Sequence, residues 1–430
     1  MPLDDEDRPS RPFPEALRRE WLERGWPQEL LEMGARVGVS RRDFETWLGL
    51  GESGLERARW WLPQQVDLTF GTIRGREATV MDNDRISDLW ANAPEDVGEW
   101  EVTVERAPNA FAQYKLQEGV SIPVLEENGV LMACVVWAKC HVVVAGKRLT
   151  VHCGQGMRVR RECRGKGYGN LVRAVSSAFW HRPTIGQFHY IRTLNKAAFD
   201  FFKHTSPSVV ANVPEESETP GIPVTVLQYP RRRFEGDASG IRPARRSDVR
   251  RCVSLINRTH RGLDLFRPYS AERLELRLDE GFWGKEVPRG ILHVYGWQDY
   301  FVLEERGRVV ACAGLWDRGR DMRERWRHKV TGEERTTTAT AVLDFGFESG
   351  HEAAMARLIE YLTGETERLE RDFLLAALQQ LPVVASQLER LEPIAETRGL
   401  GWLLWDDETR PMSAEPDPPV RRPYTDLSYW

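Results

Sequence analysis

The chain has 430 residues, a formal net charge of −5 and six cysteines. That length exceeds one ordinary core, so two or three domains are expected. The longest apolar run, Val130 to Ala138, is too short to cross a bilayer, and the start Met1-Pro-Leu-Asp-Asp-Glu-Asp7 has the wrong charge for a signal peptide, so a cytoplasmic protein without membrane contact is expected. No Cys-x-x-Cys pair occurs, which favours reduced thiols over disulfides or a metal site.

Residues 1–9 are acidic and polar. From Pro14 to Gln65 apolar residues recur at helical intervals (Phe13, Leu17, Trp21, then Leu30, Leu31, Met33, Val37), and Ser40 can cap a helix that turns Phe44, Trp47 and Leu48 inward. A small helical bundle over 1–66 follows. Its charges are mixed in sign with no basic helix, which argues against a nucleic-acid reader and for an appendage that packs or binds a partner.

Strand patterns begin after residue 66. Thr72 to Ala78 and Ile86 to Trp90 read as an opening strand and helix, and Trp100 to Arg106 as a strand on which Glu101 and Glu105 share parity. Segments 121–126, 131–144 and 148–159 are joined by turns at Glu127-Asn128-Gly129 and Ala145-Gly146-Lys147. Arg164-Gly165-Lys166-Gly167-Tyr168-Gly169 then leads into a helix whose apolar face carries Leu171, Val175, Ala178 and Phe179. A helix N-terminus offers unpaired N–H groups and the positive end of the dipole, and glycines let an anion approach the main chain. Arg158, Arg160, Arg161, Arg164, Lys166 and Arg173 surround the turn with positive charge. A Walker A loop is excluded because Gly167 follows Gly165-Lys166, and Gly-x-Gly-x-Gly after a hairpin is not the dinucleotide fingerprint.

The remaining pattern, Arg-x-x-Gly-x-Gly between strand and helix, resembles the GNAT superfamily of acyl-CoA-dependent N-acyltransferases. The order of strands supports it, as does a second signature downstream, where strand His189 to Thr193 precedes Asn195, Ala198 and Phe199, Phe201 and Phe202. The resemblance covers roughly 67–232. It implies an α+β fold with a central mixed, mostly antiparallel sheet, and acetyl-CoA as co-substrate without a metal. Cofactor contacts are implied for Met157, Val159, Arg164, Gly165, Lys166, Gly167, Tyr168, Gly169 and Asn195. The alternative for Asn195 is a helix cap.

A lysine-type amine costs roughly 4–5 kcal/mol to deprotonate at pH 7 and an α-amino group about 1–1.5 kcal/mol, so a general base is useful. His152, alone among histidines on the strand before the glycine turn, leads the candidates for base, with a hydrogen-bonded structural histidine as the competing reading. Glu101 and Glu105 follow, against a solvated edge. Phe202 stands where the family places a proton-donating tyrosine, so Tyr190, Tyr168 or water must serve, or the CoA thiolate leaves unprotonated. Cys163 beside the cationic turn is either an activated thiol or a small half-buried residue.

Arg231 to Gly240 reads as a linker. Beyond it Ile241 to Asp248 and the helix with Val249, Cys252, Val253 and Ile256 repeat the opening of the first unit; a hairpin over 300–313, a strand over 341–347 and a helix over 352–361 continue the parallel. The turn here, Phe347-Glu348-Ser349-Gly350-His351, has one glycine and an acidic residue that would repel pyrophosphate. Two GNAT-like units are therefore expected, 67–235 binding acyl-CoA and a degenerate 240–430 serving as scaffold or acceptor-site wall. Trp297, Trp316, Trp326, Trp402 and Trp405 are candidates for an apolar pocket or for core. The expected activity is transfer of acetyl to a primary amine of a small molecule or peptide by direct attack; the alternative is a non-catalytic CoA-binding regulatory or scaffold protein.

Overall fold

The computed structural model describes residues 15–26, 28, 48, 68–70, 72–179, 186–192, 194, 195, 197, 198, 222–282, 294–404 and 423–429. Of the expected N-terminal bundle helix α1 (Glu15–Glu23), with Trp21 buried edge-on to Trp26 at 4.7 Å, and the buried Leu48 fall among them; the other helices of that expectation, with Phe199, Phe201, Phe202 and Trp405, lie outside the described residues.

The first half runs through β1 (Leu68–Phe70), β2 (Ile73–Glu77), α2 (Asn83–Ala91), β3 (Glu95–Val97), β4 (Trp100–Glu105), β5 (Val120–Ser121), β6 (Pro123–Glu127), β7 (Val130–Val144), β8 (Lys147–Val159), α3 (Tyr168–Phe179), β9 (Gly186–Arg192) and β10 (Ile222–Pro230). The second runs through β11 (Ile241–Pro243), α4 (Val249–Thr259), α5 (Ala271–Asp279), β12 (Tyr300–Glu305), β13 (Arg308–Trp316), β14 (Arg323–His328), β15 (Glu334–Thr337), β16 (Ala339–Phe347), α6 (Glu352–Arg368), β17 (Phe373–Ala376), α7 (Pro382–Gln387) and β18 (Ile394–Leu404).

One large sheet orders these strands β1-β2-β6-β7-β8-β9-β18-β10-β17-β16-β13-β12-β11, so it reads alike from both ends once β1 is set aside. Its parallel pairs are β8 with β9 and β16 with β17; the remaining pairs are antiparallel. At the centre the halves exchange their last strands. β10 lies between β18 and β17, while β18 lies between β9 and β10, so neither half closes its sheet without the other. Val224 and Val226 of β10, Leu400 of β18, Val142 and Cys153 of the first half and Leu255 and Val302 of the second share one apolar core. A second sheet, β15-β14-β4-β3, again joins the halves through the pairing of β14 with β4.

Local chemistry repeats as well. Arg76 of β2 bonds Asp82, ahead of α2, at 2.7 Å and Glu126 of β6 at 2.8 Å. In the second half Arg242 of β11 bonds Asp248, ahead of α4, at 2.8 Å and also pairs with Glu304 of β12. In each half an arginine on the opening strand ties helix start to next strand, a charge-assisted clasp that fixes how the helix leaves the sheet. Helix α3 packs Val172 and Val175 on Leu125, Ala133 and Trp137, and α6 packs Met355, Leu358, Ile359 and Leu362 on the corresponding face of the other half. The approach of α3 is close: a Cβ on Gly75 would lie 2.6 Å from Val175.

Candidate functional site

Strands β8 and β9 pair only from His152–Gln187 to Gly154–His189, although β8 continues to Val159 and β9 to Arg192. They splay beyond that point. Opposite the splay β8 carries a bulge against β7 between the pairs Val136–Gln155 and Cys134–Arg158, with Gly156 at φ +58°. A Cβ at Gly156 would sit 2.7 Å from the Trp90 ring, so glycine here serves both backbone and packing. The splay opens a cavity of about 150 Å3 lined from the first half by Trp90, Glu95, Arg106, Trp137, Gly154 to Arg158 and His189 to Arg192, and from the second by Arg318, Met322, Glu324 and Arg398.

Charge dominates this lining: arginines 106, 158, 192, 318 and 398 face glutamates 95 and 324. Arg158 pairs with Glu95, Arg192 lies 3.6 Å from Glu95 and 2.5 Å from Glu324, and Arg398 bonds Glu396 at 2.9 Å. Burial works against the Glu95 carboxylate, but the positive charges of Arg158, Arg192 and Arg398 and the Arg158 hydrogen bond hold its pKa at about 2. Glu95 is therefore an anion that organises the arginines and a poor base. The Cζ atoms of Arg106 and Arg158 both lie 3.9 Å from the centre of the Trp90 ring.

At the mouth, the glycine turn leads from β8 into α3. Gly165 and Gly167 hold φ of +73° and +85°, and a Cβ on either would meet nothing within 4 Å, so backbone conformation alone calls for glycine there. Leu171 N–H closes on the Gly167 carbonyl at 3.0 Å, which leaves the first-turn amides before it without intrahelical acceptors. Gly169 lies in that first turn and Tyr168 starts the helix, its hydroxyl donating to Glu127 at 3.0 Å. The cationic cluster read from sequence is largely spent: Arg158 on Glu95, Arg160 on Asp88, Arg161 on Glu101, and Arg164 on Asp96 at 3.4 Å and the Pro94 carbonyl. Lys166 is exposed and, among the described residues, has no carboxylate within 4 Å. Met157 lines the cavity, whereas Val159 packs in the core beneath α3. Asn195 touches both readings: it lines the cavity with Nδ2 3.5 Å from Glu95, and its Oδ1 accepts the Ala198 N–H at 3.1 Å as a helix cap does.

Of the catalytic candidates read from sequence, His152, Glu101 and Glu105 land elsewhere and Tyr190 lines the cavity. His152 sits outside the cavity lining, edge-on to Trp137 at 6.2 Å; burial, then the charge of Lys139, lowers its pKa to about 4. Glu101 and Glu105 do share parity, but on the face of β4 away from the cavity: Glu101 pairs with Arg161 and with Arg327 at 3.1 Å, and Glu105 with Arg325. The opposite parity, Val102, Val104 and Arg106, is the buried one, and it carries Arg106 inward. Tyr190 lines the cavity with its hydroxyl 3.3 Å from the Tyr424 carbonyl, and burial drives its pKa well above 10, so it stays a donor. Cys163 is buried, and burial raises its thiol pKa, so it is not an activated thiol. Of the second-half tryptophans, Trp316 is core and Trp326 stacks at 6.4 Å on Trp100; neither lines the cavity, which uses Trp90 and Trp137.

His189 was read from sequence only as a strand residue. It is the last residue of β9 paired to β8, and its Nδ1 lies 3.1 Å from the Gly154 carbonyl. A carbonyl only accepts, so Nδ1 carries the proton and Nε2 is the basic nitrogen. Gly154 is required: a Cβ there would overlap the His189 ring at 2.2 Å. Arg106, Glu95 and Arg192 were likewise missed; strand parity from Val102 would have found Arg106, whereas nothing local marks Glu95.

At the level of sequence no protein-family model and no curated protein matches the chain. In three dimensions it is similar to Saccharomyces cerevisiae N-myristoyltransferase with bound myristoyl-CoA and inhibitors: TM-score 0.55, 9% identity, 78% of this chain and 82% of that chain covered. A second structure of that enzyme with bound myristoyl-CoA gives 0.51 and 11% over 78% and 80%. The GCN5-related glucosamine N-acetyltransferase region of a fungal GH3 beta-N-acetylglucosaminidase aligns at 0.49 and 13% over 78% and 38%. At such identities the likeness is one of fold alone.

Proposed function

We propose that the chain is an acyl-CoA-dependent N-acyltransferase with one active site, in which the first-half cleft takes the cofactor and the second half walls the acceptor side. The observation that carries this reading is the splay of β8 from β9, with a glycine turn and helix N-terminus at its mouth and an arginine-lined cavity at its vertex. Phosphates of CoA fit the amides of Gly165 and of Gly167 to Gly169 together with the Lys166 ammonium, while the Lys166 amide is spent on the Cys163 carbonyl at 3.3 Å, and the β8 edge from Met157 to Val159, unpaired to β9, runs inward from there. At about 30 Å3 per water the cavity offers room for roughly five water-sized groups, which suits an acetyl group with a small amine better than a long fatty chain.

In the reaction the amine nitrogen attacks the thioester carbonyl, the C–S bond breaks, and the amine proton leaves through His189 Nε2 or water. The positive lining assists, because like charges lower the pKa of an ammonium group and enlarge its neutral, nucleophilic fraction. A CoA thiolate has a free-thiol pKa near 8.5 and leaves at little cost without a dedicated acid.

Titration of the full chain with acetyl-CoA tests the reading. Saturation at one equivalent is expected, with affinity reduced at least tenfold by Gly167→Glu, which puts an anionic side chain at a position of φ +85° in the proposed phosphate cradle. Equal affinity in both proteins would sink it. Thiol release that persists in His189→Gln with an unaltered pH profile would remove His189 from the mechanism and leave the cofactor site standing. CoA binding with no thiol release for any amine would favour the non-catalytic regulatory reading.

A further inference from the structure

Arg106 has no carboxylate partner among the described residues; Arg158 Nε and Arg192 Nη1 in this cavity also lack acceptors, but those two guanidinium groups have carboxylate partners. It is 7% exposed and lines the cavity. Its guanidinium lies over Trp90 at 3.9 Å and Tyr114 at 5.2 Å, yet among the described residues it has no carboxylate within 4 Å and makes no side-chain hydrogen bond. The Nε atom is sealed from solvent with no acceptor. Of the four other arginines, Arg158, Arg192 and Arg398 are each matched to Glu95, Glu324 or Glu396, while Arg318 donates to the Met322 sulfur at 3.9 Å. Ring faces attract a cation but do not replace an anion, and a buried arginine left with aromatic partners alone is under-compensated. Main-chain anchoring keeps it in place, since the Ser87 hydroxyl donates to the Arg106 carbonyl at 2.6 Å.

We propose that Arg106 receives a carboxylate carried by the amine acceptor, so that the substrates of this site are amino acids or compounds with a carboxylate close to the reacting amine. The inference rests on the acyltransferase reading and narrows it. A cavity whose five arginines face only three glutamates, Glu396 behind Arg398 included, repels a simple ammonium ion, so an amine must bring negative charge of its own to enter. The planar fork of Arg106 matches a carboxylate in bidentate geometry. The same positive field that draws the carboxylate depresses the pKa of the adjoining ammonium, so recognition and activation of the nucleophile come from one set of charges. The phosphates of CoA are not the anion meant, because their cradle is the exposed turn at the mouth and Arg106 lies inside, on Trp90 beneath the Gly156 bulge. A carboxylated acyl group would present the same chemistry from the donor side.

The experiment uses matched pairs on the full chain: phenylalanine and phenethylamine, lysine and 1,5-diaminopentane, glycine and methylamine. Each is titrated calorimetrically with CoA present and assayed for thiol release with acetyl-CoA and with succinyl-CoA. The wild-type protein is expected to prefer the carboxylated member of at least one pair by 30-fold or more, an estimate of about the size that loss of one partner of a buried charge pair produces. Arg106→Met is expected to collapse that ratio to within threefold, and Arg106→Lys, which keeps the charge but not the fork, to leave an intermediate ratio. Should Arg106→Met fail to fold, the Lys variant carries the test alone, and an unaltered ratio in it overturns the assignment. Absence of discrimination in every wild-type pair, or discrimination that survives in Arg106→Met, overturns the proposal. Selection of succinyl-CoA over acetyl-CoA that disappears in Arg106→Met also overturns it, by placing the anion on the donor. Failure of CoA to bind is a separate result that removes the acyltransferase reading.

Discussion

The two clefts of this molecule share a topology and have opposite contents. In each, a strand bulges and then parts from a parallel neighbour: β8 at Gly156 from β9, and β16 at Asp344, φ +49°, from β17. Glycine at the first bulge leaves space for Trp90 and the cavity. Aspartate at the second supplies an internal carboxyl group, whose pKa burial raises while the charge of Arg277 pulls it down. Its buried carboxylate accepts from Tyr269 and from Tyr295 at 3.1 Å and pairs with Arg277 at 3.1 Å. The turns diverge too: the first has positive-φ glycines and α3 starting at Tyr168, while in the second Glu348 is locked between Arg308 and Arg251, the latter at 2.7 Å. Where the first half keeps an arginine waiting for an anion, the second has built the carboxyl group in.

Breaking the internal carboxyl–arginine pair tests that comparison most severely. Asp344→Asn keeps a side chain that tolerates left-handed backbone and removes only the charge. Arg277, fully buried, would retain Asp426 at 3.4 Å and lose its nearer partner. A loss of about 3–5 kcal/mol in urea unfolding is expected, the usual size for breaking a buried pair. Acetyl-CoA affinity of the folded fraction should be unchanged if the second cleft is scaffold, and a parallel loss would show that the clefts are coupled.

The first cleft has its own buried anion, and pH separates it from the rest. Glu95 has a folded pKa of about 2 against an ordinary value of 4.5, so its contribution is fully present above about pH 4.5 and is lost as pH falls towards 2. That contribution is on the order of 3 kcal/mol. Asp426 in the second half, opposed by burial but held at about 2 by Arg277 and Arg267, titrates in a similar window. Unfolding free energies of wild type and Glu95→Gln at pH 6, 4 and 3 should therefore converge as pH falls, because the variant has less left to lose. Parallel curves would mean that Glu95 is not ion-paired in solution.

Much of this architecture was readable from local pattern. The strands around 123–159, the glycine turn, the opening Arg76 and Arg242 segments and the hairpin at Tyr300 all rest on periodicity and turn chemistry, which act over a few residues. The exchange of β10 and β18 was not readable, because both are strands of ordinary pattern whose partners lie about 140 to 220 residues away in sequence. The site divides in the same way. Gly165 and Gly167 announce themselves through the conformations that glycine permits, whereas the counter-charges that neutralise Arg158 to Arg164 come from β3, β4 and α2 and appear only after folding. Glu101 and Glu105 show the cost of reading parity without knowing which face is buried: the alternation was right, and the face belonged to Val102, Val104 and Arg106.

The smallest change sharpens the comparison at its origin, the bulge itself. Gly156→Ala adds one methyl group at φ +58°, where left-handed backbone costs a non-glycine residue roughly 1–2 kcal/mol. The new Cβ would also lie 2.7 Å from Trp90, whose ring bears both Arg106 and Arg158 and must move. A net destabilisation of about 2 kcal/mol is expected in urea unfolding, with acceptor discrimination reduced because Arg106 loses its platform. Gly165→Ala separates backbone strain from displacement: its φ is +73° with open space around the added Cβ, so it incurs the strain without touching any ring. If both variants lose the same stability and neither alters acceptor choice, the Trp90 platform has no role, and the emptiness of the first cleft owes nothing to the glycine at its bulge.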